Sequence, residues 1–477
     1  MINWHLISLE ILLAVILVLF TVLDLCLPKK TKHDWICVFS LIALVGLILF
    51  WSTQSPLKGI TFNGMFAMDS LAWFFKGLFL LTMVFIFAMT HEFFKNSDKT
   101  PREFYLLLWL SLIGMCLIAS SVDFLLLFIS IEILTISLYV MTAYLKTDAL
   151  SIEAGMKYLI LGALASGFFL YGISFLYGVG HSTHFDVIQH YAATHPLSLV
   201  MLFAMVLIFS AVGFKISAVP FHVWVADVYQ GAPTPVTALL SVGSKAAGFI
   251  ILIRLFFVVF GPWHANWQIT FGILSAITMT FGNCAALFQT NIKRLLGYSS
   301  IAQAGYLLMA ATIGTAFGIG SINYYLLTYL FSNLAIFLVI TVLSIIVKSD
   351  AIEDYAGLSK RCPLLAFTML MGLVSLAGIP PLAGFFGKFM LLIAVLKSPY
   401  LWLALVAVAN IVISMYYYLS IVKRLYADNP VNAAHIQISL HMRVLMILAV
   451  LAILILGIVQ GPFLEISIPK IDISFPM

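Results

Sequence analysis

Apolar runs long enough to cross a lipid bilayer recur along the whole chain. A helix of about 20 apolar residues spans the roughly 30 Å of hydrocarbon in a membrane, and the run "HLISLEILLAVILVLFTVLDL" near the start has this length. Of the 477 residues, 63% are hydrophobic and 9% are charged, whereas soluble domains carry roughly 25% charged residues. The sequence therefore predicts an all-α polytopic membrane protein with about 14 transmembrane helices and no soluble domain.

Basic residues cluster in alternate loops between the predicted helices. Cytoplasmic loops of membrane proteins carry an excess of lysine and arginine. The basic loops hold Lys29, Lys30, Lys32, Lys95, Lys99, Arg102, Lys146, Lys293, Arg294, Lys348, Lys360, Arg361, Lys423, Arg424 and Arg443. The opposite loops hold little beyond Lys58 and Lys397, with Lys470 in the tail. We expect the basic loops to face the cytoplasm and both termini to lie outside.

Two predicted helices are broken by proline and glycine at membrane depth. The seventh carries Lys215 shortly before Pro220, and the twelfth carries Lys388 shortly after Pro380 and Pro381. Proline removes a helical hydrogen bond, and unwound backbone inside a membrane is tolerated only within protein or along a wet cavity. The two breaks fall in helices of opposite direction, which favours an inverted repeat. Simple proline kinks are the alternative, and a lysine at both breaks argues against them.

The two breaks predict a division of the chain into four segments. Residues 1–102 would hold three N-terminal helices, and residues 103–262 a first five-helix repeat that contains the broken seventh helix. Residues 263–428 would form the second, inverted repeat with the broken twelfth helix, and residues 429–477 the final helix and tail.

Several ionisable residues stand far from the ends of the predicted helices: Glu132, Lys215, Lys245, Lys388, Arg254 and Lys76. Each costs about 2.5–3.5 kcal/mol at the bilayer centre on insertion scales. A static ion pair that fixes helix packing is one explanation. The lysines outnumber the carboxylates at depth, however, and this surplus favours groups that bind and release protons.

A carboxylate that moves relative to a buried lysine can load or release a proton. In general, burial disfavours an ammonium group and a nearby carboxylate favours it. A change of two pKa units corresponds to about 2.7 kcal/mol, and moving one charge across 100 mV costs about 2.3 kcal/mol. A switch formed by a glutamate and a lysine is therefore strong enough to drive a proton across a membrane.

The remaining polar residues carry weaker signals. His222 lies between Lys215 and the predicted cytoplasmic side, where either a relay or an interfacial hydrogen bond fits. We expect Asp227 to cap or pair near the surface and Lys293 to extend its ammonium toward the interface. The three histidines of one predicted outer loop are interpreted as surface residues in preference to a metal site: His181, His184 and His190.

Motifs for bond-making chemistry are not found in the sequence. The five cysteines are far apart and show no ligand spacing, and no P-loop, dinucleotide fingerprint or nucleophile triad is found. The net charge of +5 lies in short loops, so it does not indicate a nucleic-acid partner. We expect the chain itself to hold no cofactor and no metal, and its energy to come from an ion gradient or a partner.

Three long motifs carry a family resemblance. They are "KISAVPFHVWVADVYQGAPTPVTALLSVGSKAAGF", "NIKRLLGYSSIAQAGYLL" and "DYAGLSKRCPLLAFTMLMGLVSLAGIPPLAGFFGKF". The chain resembles the antiporter-like subunits of respiratory complex I, the NADH–quinone oxidoreductase, which are relatives of multisubunit cation/proton antiporters. The resemblance is strongest from the fourth to the thirteenth predicted helix. Two features set the chain apart from its sisters: Lys388, where one sister usually has glutamate, and an end soon after the last predicted helix.

The resemblance implies two half-channels joined along a central hydrophilic axis. Glu132 would be the switching carboxylate and Lys215 its partner. Lys245 would continue the axis, Lys388 would exchange protons with the outside, and His222 would assist proton uptake from the cytoplasm. Some relatives have histidine where this chain has Gln303, so the link from Lys245 to Lys388 would need water there.

The resemblance also implies the surroundings of the chain. NADH, FMN, the iron–sulfur clusters and the quinone would be bound by other subunits, and the partners would be sister antiporter-like subunits and small membrane subunits. The location would be a bacterial inner membrane. Two alternative functions remain. A subunit of a stand-alone sodium/proton antiporter would have the same two breaks, and a structural membrane spacer would have the same pattern of membrane-spanning helices.

Overall fold

The structure is a computed structural model that describes residues 3–26, 32–54, 58–95, 102–430 and 436–469. Four basic residues used to orient the chain, Lys29, Lys30, Lys99 and Lys470, lie outside the described residues. The described chain is almost entirely helical. Because hydrocarbon offers no hydrogen bonds, apolar segments satisfy their backbone groups within helices.

The N-terminal half leads to the first broken helix. Its helices are α1 (Ser8–Cys26), α2 (Lys32–Thr53), α3 (Ser70–Phe94), α4 (Arg102–Ser120), α5 (Phe124–Thr142), α6 (Ala149–Gly180), α7 (Phe185–Thr194) and α8 (Leu199–Ile216). A short antiparallel hairpin of β1 (Gly59–Thr61) and β2 (Phe66–Met68) lies between α2 and α3, with Ile60 opposite Ala67.

The remaining helices are α9 (Trp224–Gly231), α10 (Thr234–Leu239), α11 (Lys245–Leu252), α12 (His264–Ala286), α13 (Ile292–Ala311), α14 (Ala316–Ile346), α15 (Leu358–Arg361), α16 (Pro363–Ala377), α17 (Ala383–Leu396), α18 (Leu401–Ala427), α19 (Leu440–Ile458) and α20 (Gly461–Ser467). Short 3-10 turns cover Gly261–Trp263 and Ile352–Tyr355. Two π-helical segments, Leu240–Ser244 and Ile253–Val259, flank α11. Residues 234–259 therefore form one continuous helical stretch with two wide turns.

Twelve helical stretches among the described residues are long and apolar enough to cross a membrane. The tenth predicted helix corresponds to α13, and the twelfth to the two shorter helices α16 and α17. The all-α polytopic fold is confirmed. The count of 14 helices, the two inverted repeats and the four-segment division stay predictions.

Both predicted breaks are present. Helix α8 ends at Ile216, where Ser217 has φ +67°, and the chain resumes as α9 at Trp224. Helix α16 ends at Ala377, where Gly378 has φ +85°, and α17 begins at Ala383. A left-handed residue after the last turn is a common way to end a helix. Both breaks thus place the carbonyl end of a half-helix inside the protein.

The core is built around the helical stretch 234–259. Over the 18 most apolar consecutive residues of this stretch, 94% of the positions are buried, compared with 83% in α3 and 78% in α14. The corresponding windows of α1, α2 and α6 are only 22%, 28% and 28% buried. The helices around the core thus turn apolar side chains outward, as expected for a protein surrounded by lipid.

Candidate proton relay

Glu132 and Lys215 are linked through a third side chain and a small cavity. Glu132 in α5 accepts a hydrogen bond of 2.5 Å from the Oγ of Ser166 in α6. Lys215 lies in the last turn of α8, and the residue is 9% exposed. Ser166 and Lys215 line the same cavity of about 20 Å³, which is enough room for one water molecule.

Lys215 has no direct counter-ion among the residues that the structure describes. Its Nζ has no hydrogen-bond partner in the described part of the chain. Glu132 is close enough to interact with it electrostatically, but no ion pair within 4 Å joins the two. A buried ammonium group without a partner is costly. The position therefore favours a group whose charge changes over one that fixes the packing.

Lys245 is almost completely buried between two central helices. It is the first residue of α11, directly after the π-helical segment Leu240–Ser244, and is 1% exposed. Its Nζ donates a 2.5 Å hydrogen bond to the backbone carbonyl of Ser300 in α13. Single π-helical turns within α-helices occur frequently at functional sites. The ammonium group thus contacts a carbonyl dipole and no described carboxylate within ion-pair distance.

Lys388 is bound by the end of the half-helix that precedes it. Its Nζ donates to the carbonyls of Leu376 at 2.7 Å and Ala377 at 3.4 Å, and it lies 5.0 Å from the centre of the Tyr306 ring. The last carbonyls of a helix have no partner within it and carry partial negative charge. The break in the twelfth predicted helix therefore creates the site for this lysine.

Gly378 makes the close approach of that lysine possible. A Cβ atom at this position would lie 3.2 Å from Cδ of Lys388, and the positive φ of 85° also favours glycine. Gly378 thus ends α16 and leaves room for the side chain of Lys388, which donates hydrogen bonds to the last carbonyls of α16.

Gln303 lies on α13 between Ser300, which Lys245 contacts, and Tyr306, which Lys388 contacts. Gln303 donates a 3.3 Å hydrogen bond to the hydroxyl of Tyr418 and accepts one from the hydroxyl of Tyr325. Tyr418 is also hydrogen bonded to Ser299. The region where the resemblance implied water around Gln303 therefore contains two buried tyrosines as well. Sequence reasoning missed them, although the tyrosine clusters "NYYLLTY" and "MYYYLS" in apolar helices were a usable signal.

Two other deep cations have a structural partner that sequence reasoning missed. Lys76 forms a 2.6 Å ion pair with Glu10, with side chains 0% and 5% exposed. Arg254 donates two hydrogen bonds of 3.1 Å to Asp69 and two more to the carbonyl of Ala119. The sequence alone assigns no role to Lys76 or Arg254. These two residues tie helices together.

Asp227 is the centre of a charge cluster at the surface, which confirms its predicted pairing. It forms ion pairs of 2.6 Å with both Lys157 and Arg294. Partial burial works in the opposite direction, but the hydrogen bonds from these two cations hold the pKa of Asp227 below its usual value. The cluster joins α6, α9 and α13.

Lys293 differs from the prediction, because it pairs with Asp350 at 2.8 Å and does not extend outward.

His222 lies in the first break, with its ring 4.4 Å from that of Phe281. Among the described residues, no hydrogen bond or ion pair joins it to Lys215.

Of the three loop histidines, His184 lies 3.4 Å from Asp123. No group of three potential metal ligands occurs in the described ranges.

A polytopic helical fold with two broken helices, each of which positions a buried lysine, defines a membrane transport subunit of the antiporter-like class. Residues 121–414 match the family described as NADH:quinone oxidoreductase/Mrp antiporter, transmembrane. The chain is 39% identical over 463 residues to NADH-quinone oxidoreductase subunit N of Moorella thermoacetica, with 97% of both chains covered. It is 41% identical to NAD(P)H-quinone oxidoreductase subunit 2 of Nostoc sp., with 86% of this chain and 79% of that one covered. The chain belongs to this family of antiporter-like subunits, in its subunit N branch.

Solved structures agree with this assignment. A chain of respiratory complex I from Thermus thermophilus superposes with a TM-score of 0.83 at 31% identity, with 96% of this chain and 98% of that chain covered. A chain of the Mrp complex from Dietzia sp. has a TM-score of 0.86 at 20% identity, with 98% and 96% covered. At that identity, the second match shows a shared fold and nothing more.

Proposed function

We propose that this chain carries protons across the membrane as a subunit of an NADH-quinone oxidoreductase. Electron transfer takes place on other subunits, which bind NADH, FMN, the iron–sulfur clusters and the quinone. The partners are sister antiporter-like subunits and small membrane subunits in a bacterial inner membrane, with both termini of this chain outside.

One observation carries the proposal: three lysines are buried without a described carboxylate at ion-pair distance. Among the described residues, Lys215 has no hydrogen-bond partner, whereas Lys245 and Lys388 donate to backbone carbonyls. In the same protein, Lys76 is buried as deeply and does have a carboxylate partner at 2.6 Å. A purely structural role would favour pairing for all of them. The difference points to lysines that release and regain a proton during the working cycle.

The relay runs through Glu132, Lys215, Lys245 and Lys388. Movement of Glu132 toward Lys215 favours the ammonium form, and its withdrawal favours release of the proton. A proton passed inward reaches Lys245, and the hydroxyl and amide groups around Gln303 connect that lysine to Lys388. His222, in the first break, is assigned to proton uptake from the cytoplasm. A free-energy change of about 2.7 kcal/mol per switch matches the cost of about 2.3 kcal/mol for one charge at 100 mV.

The test is the substitution Lys215→Met in the assembled complex. Proton translocation should be lost or strongly lowered in membrane vesicles, while the amount of assembled complex stays normal. Lys58→Met is the matched control, because Lys58 is exposed and should pump normally. Normal translocation by Lys215→Met would contradict the relay.

The partners of the chain decide between the two related functions. Purification of the chain from its native membrane should bring down flavin and iron–sulfur subunits. Recovery with small antiporter subunits alone would instead identify a stand-alone sodium/proton antiporter.

A further inference from the structure

The gap between Glu132 and Lys215 is occupied by Ser166. The two charged groups are not within 4 Å of each other, so a proton cannot pass directly between them in this conformation. The hydroxyl of Ser166 donates to Oε1 of Glu132 at 2.5 Å, a distance at the short end for a hydroxyl that donates to a carboxylate. Ser166 therefore already forms one half of a connection.

The other half of the connection is the cavity of about 20 Å³ that Ser166 shares with Lys215. A buried water molecule needs about 10–15 Å³ and two to four polar partners. The cavity is otherwise lined by apolar side chains such as Phe128 and Ile251. The lining residues with polar side chains are Ser166 and Lys215, and the Nζ of Lys215 is buried and has no partner in the described chain.

We propose that Ser166 and one water molecule in this cavity conduct the proton between Lys215 and Glu132. The ammonium of Lys215 donates to the water, the water donates to the Oγ of Ser166, and Ser166 donates to the carboxylate. A hydroxyl can donate and accept at the same time, which makes this chain continuous. The inference rests on the proposed proton-translocating function.

The step balances as a set of coordinated proton shifts. One proton leaves Lys215 for the water, the water passes one of its own to Ser166, and Ser166 passes its hydroxyl proton to Glu132. The products are a neutral lysine, a protonated glutamate, an unchanged water molecule and an unchanged serine. The reverse sequence reloads the lysine.

The first test compares Ser166→Ala and Ser166→Thr in the whole complex, reconstituted in proteoliposomes. The alanine variant lacks the hydroxyl and should lower proton translocation by about tenfold or more, since positioned proton-transfer groups contribute about 10²–10⁴-fold. The threonine variant keeps the hydroxyl and should recover most of the rate. Ser174→Ala is the matched control, because Ser174 lies on the same helix and donates to the carbonyl of Tyr171.

The outcomes separate this inference from the proposed function. If Ser166→Ala pumps normally while Lys215→Met does not, the serine pathway is overturned and the relay stands. If both pump normally, the proposed function itself is overturned. If Ser166→Ala fails to assemble, Ser166→Cys replaces it, because a thiol is a weak donor. A cysteine variant that pumps as fast as the threonine variant would contradict the pathway.

A structural measurement provides an independent check. A high-resolution map of the assembled complex should show one water within hydrogen-bond distance of both Nζ of Lys215 and Oγ of Ser166. A dry cavity in that map would overturn the proposal.

Discussion

The ammonium group of Lys388 lies 2.7 Å from the carbonyl oxygen of Leu376, so the end of one half-helix binds the lysine of the next. An unbroken helix would use that carbonyl for its own backbone hydrogen bonds. The break frees it and also places Gly378 where a larger residue would crowd the lysine. The proline and glycine residues thus do more than bend the chain, because they create the acceptor for a buried cation.

We expect Lys388→Met to assemble and to lose proton translocation. Methionine fills a similar volume but offers no proton, and the carbonyls left without a cation cost about 1–3 kcal/mol. Proton pumping in vesicles and thermal unfolding of the purified complex measure the two effects. Lys397→Met, which alters an exposed lysine directly after the end of α17, is the control and should change neither. Full pumping by Lys388→Met would remove this residue from the relay.

The Glu10–Lys76 pair should behave in the opposite way. Lys76→Met leaves a buried carboxylate without its partner, and loss of one member of a buried pair costs about 3–5 kcal/mol. The amount of assembled complex should fall, whereas protons translocated per electron should stay normal in what remains. The double variant Glu10→Gln with Lys76→Met should recover much of the assembly. Normal assembly of Lys76→Met with defective pumping would instead place Lys76 in the proton pathway.

The parts of the site that follow local rules were predictable from the sequence. Proline and glycine disturb helical hydrogen bonds within a few residues, so both breaks could be located. A charge in an apolar run is visible without a structure, which is why Lys215, Lys245 and Lys388 could be selected. The fold class followed from the length of the apolar runs.

The partners of these residues were not predictable, because they depend on how distant helices pack. Asp69 and Arg254 are 185 positions apart, and nothing local to either one indicates the other. Ser166 and Tyr325 were overlooked for a related reason. Serine and tyrosine are common in apolar helices, and only the side chain across the helix interface gives their hydroxyls a role.

The stability contribution of the Asp227 cluster should depend on pH and salt. The pKa of Asp227 is lowered in the folded protein, so its contribution is complete above the ordinary aspartate pKa of about 3.9 and is lost as the pH falls further. Asp227→Asn should lower the thermal unfolding temperature at pH 7, and the difference from the unmodified complex should disappear in acid. The two ion pairs of Asp227, with Lys157 and with Arg294, are partly exposed, and each contributes about 1 kcal/mol or less to the free energy of unfolding. Glu153→Gln, which affects only the Glu153–Lys157 pair, should have a smaller effect. A difference that persists unchanged in acid would contradict the ionic explanation.

Gln303 should be required for the passage between Lys245 and Lys388. Its amide accepts from Tyr325 and donates to Tyr418, so Gln303→Leu removes both links. The buried hydroxyl of Tyr325 then loses this acceptor, whereas that of Tyr418 keeps its hydrogen bond to Ser299. We expect a clear loss of proton translocation with a destabilisation of about 1–3 kcal/mol. Gln303→His keeps a donor and an acceptor on one ring and should retain much of the pumping. Gln289→Leu is the control, because Gln289 follows the end of α12 and donates to the carbonyl of Ala285 in that helix. If Gln303→Leu pumps like the control, protons reach Lys388 by a route that avoids this residue, and the connection drawn here through the two tyrosines is wrong.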